Sequence, residues 1–178
     1  MELISPAFSA GTAIPVAHTQ DGANYSPPLF WLNAPQHTRS YVLTCFDTDV
    51  PRLTWYHWVV YNLPANIFAL PEGYSGGALS QNTIEAVNDF CREGYDGPSP
   101  PPGHGRHRYH FRLMALDTPR LSLSPHCSGA SVEAAARPHI IAEAELVGTY
   151  SRENLGSPAT LPRQGSRADK ALAVIPDF

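Results

Sequence analysis

Basic charge, paired cysteines and long apolar runs are all scarce in this chain, and each scarcity removes a class of protein. Lys+Arg number 12 against 16 Asp+Glu, giving a formal net charge of -4 and a pI near 6.0. The basic residues are scattered, so no electrostatic footprint for nucleic acid or for an anionic membrane surface is present. The three cysteines, Cys45, Cys91 and Cys127, are odd in number and widely spaced. They suggest neither a disulfide framework nor a CxxC zinc site and are read as reduced thiols. No run approaches the roughly 18 apolar residues that span a bilayer, and the opening MELISPAFSAGTAIP has no basic n-region. A soluble, cytoplasmic protein without a transmembrane segment is expected. There is also no HExxH pair, and no metal, no cofactor and no catalytic residue is assigned.

What is present reads as β-structure. At 178 residues and 43% hydrophobic content, the chain has enough apolar material for one domain with a sizeable core. Residues 2–8, 40–46 (SYVLTCF), 54–64 (TWYHWVVYNLP), 108–116 (RYHFRLMAL) and 143–150 (EAELVGTY) are predicted strands, rich in β-branched and aromatic side chains or alternating in polarity. The stretch 131–137 (SVEAAAR) predicts the one helix, capped by Ser131 and with Glu133 in its first turn. Residues 67–77 read as a loop, and 78–93 as irregular with at most a turn of helix. From residue 151 the composition shifts to Gly, Pro, Ser and Arg. This divides the chain into a domain at 1–152 and an extension at 153–178, extended or docked by its apolar end ALAVIPDF on the body or on a second subunit, as in a homodimer.

Two stretches carry chemistry. Residues 95–111 (YDGPSPPPGHGRHRYHF) place glycines on either side of a proline run ahead of a strand, which makes a stiff elbow rather than a floppy linker. Its side chains are rich in donors and poor in carboxylates, which suits an anion; the competing reading is a Pro-rich surface loop. In 54–64, strict alternation puts Trp55, His57, Val59 and Tyr61 on one face and Tyr56, Trp58, Val60 and Asn62 on the other. A histidine in such a strand either satisfies its hydrogen bonds within the core or lines a cavity. The preceding strand delivers Asp47 and Asp49 close by in sequence, and Asp47 is expected to orient His57 and raise its proton affinity.

The order of motifs carries a resemblance. Asp47-Thr48-Asp49-Val50-Pro51, then His57-Trp58, then Gly97-Pro98-Ser99-Pro100-Pro101, then Gly105-Arg106-His107-Arg108-Tyr109 resemble the phosphatidylethanolamine-binding protein family, also called the Raf kinase inhibitor protein family. SPAF, DGANYSPPLFW, LPEG and AEAELVGTY extend the likeness to its bacterial branch, over residues 1–152. The resemblance implies a mainly β fold, a β-sandwich with a few short peripheral helices. It implies a small cavity for a phosphate-like anion or phospholipid headgroup, lined by Asp47, Asp49, His57, Gly97, Ser99, His107 and Tyr109. Thr48 departs from the family's usual proline, and Ser99 stands where many relatives have Gly or Cys. A protein partner, kinase or protease, is a further implication by analogy alone. An alternative is a metal-dependent or acid–base hydrolase that uses the same Asp/His set.

Overall fold

A computed structural model describes residues 1–51, 53–75, 82–124 and 126–152. Among these, strands β1 (Glu2–Ile4), β2 (Leu29–Leu32) and β5 (Ala69–Leu70) form a small antiparallel sheet in the order β1-β2-β5. Strands β3 (Ser40–Asp47), β4 (Trp55–Pro64), β6 (Ile84–Glu85), β7 (His107–Leu116) and β8 (Ile140–Tyr150) form a larger one in the order β6-β4-β3-β7-β8. The one α-helix among the described residues is α1 (Gly129–Ala136). The mainly β architecture read from sequence is therefore the observed one.

Each face of the large sheet has its own cover, and the sequence dictates which. One face of β3, β4 and β7 carries Tyr41, Leu43, Cys45, Trp58, Val60, Phe111 and Leu113, which pack against Leu3, Leu29 and Trp31 of the small sheet. The other carries Val42, Phe46, Tyr56, Val59, Tyr61 and Met114, and meets Val132 and Ala136 of α1. With partners on both edges and both faces, all eight residues of β3 are buried. A near-continuous apolar run is what such a position requires.

The predicted helix exists but starts earlier. Ser128, not Ser131, is the N-cap and accepts the Ser131 backbone N–H, and Gly129 opens the helix where a Cβ would meet the Tyr56 ring at 2.6 Å. Glu133 consequently lies beyond the first turn and pairs with Arg112 of β7. The first strand stops at Ile4 because the Ser5 hydroxyl turns back to the Pro28 carbonyl (2.7 Å) ahead of Pro6. The 67–75 part of the stretch read as a loop contributes the short strand β5, and the 82–93 part of the region read as irregular contributes β6. The extension at 153–178 lies outside the described residues.

Candidate functional site

Strand register makes the first half of the site. Asp47, the last residue of β3, pairs with Trp55 at the start of β4 and with Tyr109 near the start of β7. Three strand ends therefore stand abreast at one end of the sheet. His107 lies two residues before Tyr109 and so shares its face. His57 reaches the same place by a different device. Cys45 pairs with Trp58 and Phe46 with Tyr56, leaving His57 as the extra residue of a β-bulge. Bulges re-aim a side chain and reset the alternation beyond them. The strict alternation expected for β4 holds from Trp58 to Tyr61, with Trp58 and Val60 in the inter-sheet core and Val59 and Tyr61 facing the helix, but it is broken at the bulge: Tyr56 lies with Val59 and Tyr61 and not with Trp58 and Val60.

The loop ahead of β7 makes the second half. Together these elements enclose a hollow of about 220 Å³ lined by Asp47, Val50, Trp55, His57, Phe90, Ser99, Pro100, Pro101, His107 and Tyr109. Of its polar members, Asp47, His57, His107 and Tyr109 are buried and Ser99 is half-buried. Trp55, Phe90 and the prolines give it apolar walls. Five of the seven residues singled out from sequence therefore converge: Asp47, His57, Ser99, His107 and Tyr109.

Asp49 and Gly97 do not line the hollow. Asp49 turns outward to Arg108, which donates from its backbone N–H (2.8 Å), Nε (3.1 Å) and Nη2 (2.7 Å). That guanidinium holds the Asp49 carboxyl below its ordinary range, against partial desolvation. The Gly97 N–H is already spent on the Asn24 side-chain oxygen (2.7 Å). The missing side chain at Gly97 instead lets its backbone lie against the His18 carbonyl.

The expected partnership of Asp47 with His57 is also corrected. Asp47 accepts from His107 Nδ1 (2.6 Å) through one oxygen and from the Asp49 N–H (2.7 Å) through the other. His57 Nδ1 instead lies 2.6 Å from the Asp96 carbonyl oxygen. A carbonyl only accepts, so Nδ1 carries the proton in the neutral ring and Nε2 carries the lone pair. Burial pushes the His57 proton affinity down; the Asp96 carbonyl, then the Asp47 charge and the Gly97 backbone, oppose this more weakly. The net direction is thus opposite to the one sequence proximity suggested. Phe90 and Tyr109 both pack edge-on to the His57 ring, each with centroids 5.2 Å away. Burial, followed by the nearby Asp47 charge, pushes the Tyr109 phenol well above its ordinary range, so it is a neutral hydroxyl.

Two supports escaped the sequence reading. Behind His57, the Asn88 amide donates to the Gly94 carbonyl (3.1 Å) and to Asp96 (2.8 Å), while its oxygen accepts the Phe90 and Arg92 N–H groups. Asp96 also pairs with Arg92, and its N–H donates to the His57 carbonyl (2.9 Å). At the rim, Arg152 donates to both oxygens of Asp21 (2.7 Å each) and to the carbonyls of Ser99 and Pro100 (3.3 Å each). Gly103 and Gly105, at φ 82° and 84°, turn the chain from this loop into β7. The only sequence signal for the Asn88 network was Asp96 directly preceding Gly97; Asp21 and Arg152, 131 residues apart, offered none.

A sandwich of two antiparallel sheets with a small Asp/His hollow at one end of the larger sheet defines a class of ligand-binding β-proteins, and comparison with known proteins gives the particular family. The Phosphatidylethanolamine-binding protein family matches residues 4–151, and the chain belongs to it. Relatives include a UPF0098 protein of Aquifex aeolicus, 40% identical over 153 residues (86% of this chain, 90% of the relative). Escherichia coli YbhB, also described as a UPF0098 protein, is 39% identical over 159 residues (85% and 100%). Among solved structures, Escherichia coli YbcL, described as a member of the mammalian PEBP family, superposes with a TM-score of 0.81 at 31% identity, covering 85% of this chain and 98% of its own. A phosphatidylethanolamine-binding protein homologue from Chlamydia trachomatis gives 0.75 at 38% identity, covering 85% and 97%.

Proposed function

We propose that this protein binds a phosphate-like anion or the phosphoethanolamine-like headgroup of a phospholipid in the hollow. The observation that carries the reading is the convergence of Asp47, His57, Ser99, His107 and Tyr109 on one small cavity with apolar walls, in a chain of this family. About 220 Å³ is below the roughly 300–1,000 Å³ of ordinary small-molecule pockets, which suits a headgroup and not a whole lipid. The Tyr109 and Ser99 hydroxyls can donate to phosphate oxygens, while Asp47 and His57 Nε2 offer acceptors to an ammonium or a P–OH group.

Trp55 in the wall supplies the test. Phosphoethanolamine should change the tryptophan fluorescence saturably, and His107→Ala, which removes a buried lining group, should weaken that binding at least about tenfold. No saturable response from folded wild-type protein contradicts the proposal. Modulation of a kinase or protease belongs to the same proposal by family analogy; isolation of a stoichiometric complex with such an enzyme, with a changed activity, would support it, and failure of any such enzyme to bind would count against it.

One observation favours a second reading. The Asp47–His107 pair, 2.6 Å apart, shares the hollow with Ser99, an inventory from which acid–base hydrolysis could be built. Turnover of phosphoesters that disappears in His107→Ala would favour it over simple binding.

A further inference from the structure

We infer that the hollow holds its anion through one proton shared between a ligand oxygen and Nε2 of His57, and therefore selects a singly protonated phosphomonoester over its dianion and over a phosphodiester. The inference rests on the anion-binding reading above and narrows its ligand class, favouring free phosphate or a monoester such as phosphoethanolamine over the diester phosphate of an intact phospholipid.

The geometry around His57 leaves little choice. Nδ1 is committed as a donor to the Asp96 carbonyl at 2.6 Å, and no protein group hydrogen-bonds Nε2 among the described residues. The ring lines the hollow and is 3% exposed. Nε2 therefore faces a ligand as a lone pair, and burial opposes charging the ring. Charged and titratable groups close on it from every side. Asp47 comes from β3 and His107 and Tyr109 from β7, and all three line the same hollow. Asp96 belongs to the loop, but its carboxylate is occupied by Asn88 and Arg92. Asp47 thus adds negative charge next to the ligand, which disfavours a dianion. A monoester monoanion brings the missing proton as P–OH and donates it to Nε2. A diester has no such proton, so its binding requires charging a buried imidazole. A monoester dianion must draw one proton from solvent for the same complex to form.

Methyl phosphate and dimethyl phosphate, titrated calorimetrically into the full chain in buffers of different ionisation enthalpy, test this. With a second phosphate pKa of about 6, the Kd of methyl phosphate should rise about tenfold per pH unit above that value, with about one proton taken up per ligand bound. At pH about 6, dimethyl phosphate should bind at least about tenfold more weakly than methyl phosphate. On methyl phosphate binding, the Nε2 nitrogen NMR resonance of His57 should move toward its protonated position. A Kd independent of pH, equal affinity for the two esters, or a protonation shift confined to His107 overturns the inference while leaving the anion-binding reading intact. Failure of both esters to bind at any pH removes both. His57→Gln, if it folds, should flatten the pH dependence and level the two esters; if it does not fold, the wild-type measurements decide alone.

Discussion

The floor and the rim of the hollow are built by different physics. Asp47, His107 and Tyr109 sit on paired strands, where the ladder fixes each backbone and burial on both sheet faces fixes each side chain. Ser99, Pro100 and Pro101 sit on a loop with no strand partner, positioned by individual side-chain tethers from Arg152, Asn24 and the Asn88–Asp96 network. A fault in the floor should therefore cost fold stability, whereas a fault in the rim should cost ligand affinity first. His57 belongs to both: its strand places it, and the loop carbonyl of Asp96 sets its tautomer.

The largest expected effect is on the floor. Asp47→Ala strands the buried His107 and the Asp49 N–H together, and should lower unfolding stability by roughly 3 kcal/mol in urea denaturation. Asn88→Ala, at the junction of floor and rim, removes four short hydrogen bonds and should cost about 2 kcal/mol, with phosphoethanolamine affinity falling as well. If Asn88→Ala changed affinity without changing stability, the junction would belong to the rim alone.

Protonation should separate the regions further. The folded-state proton affinity of His57 is depressed, so between about pH 6.5 and its lower folded value the unfolded chain binds more protons. Stability is fully present above about pH 6.5 and is lost as pH falls through the folded value, a decline that His57→Phe should flatten.

At the rim, Arg152→Ala breaks a partly exposed ion pair and should cost no more than about 1 kcal/mol of stability while loosening Ser99 and Pro100 enough to weaken ligand binding measurably. An Arg152→Ala stability loss as large as that of Asp47→Ala would erase the distinction between the two regions. The smallest effect belongs to the outward-facing Asp49. Its folded pKa is depressed by Arg108, so its stabilisation is present above about pH 4 and is lost only as pH falls through the lower folded value. Arg108→Ala should accordingly change acid unfolding and leave ligand affinity unchanged.

The same contrast explains what was legible in the sequence. β3, β4 and β7 announced themselves through apolar and β-branched runs, and the motif likeness placed Asp47, His57, Ser99, His107 and Tyr109 in one hollow. The bulge at His57 could not be read, because an inserted residue in a strand apolar on both sides leaves the composition unchanged and only switches the faces of the residues beyond it. Proximity in sequence suggested an Asp47–His57 pair; cross-strand register gave Asp47 to His107 instead, 60 residues away. Gly97 and Asp49 were assigned to the ligand because a motif identifies residues but not the partners that occupy them, here Asn24 and Arg108. Ser131 yielded the cap to Ser128, three residues earlier in a stretch where both could serve. Trp55 and Phe90, which form much of the apolar wall, were not singled out, Trp55 because it stood in a strand apolar on both faces and Phe90 because it fell in a stretch read as irregular.

The central claim is most directly tested by a crystal structure of the protein soaked in phosphoethanolamine. The account predicts phosphate density inside the hollow, within hydrogen-bond distance of His57 Nε2 and of the Tyr109 hydroxyl, with Asp47 still bonded to His107. Density elsewhere on the surface, with the hollow holding only solvent at a saturating ligand concentration, would contradict it.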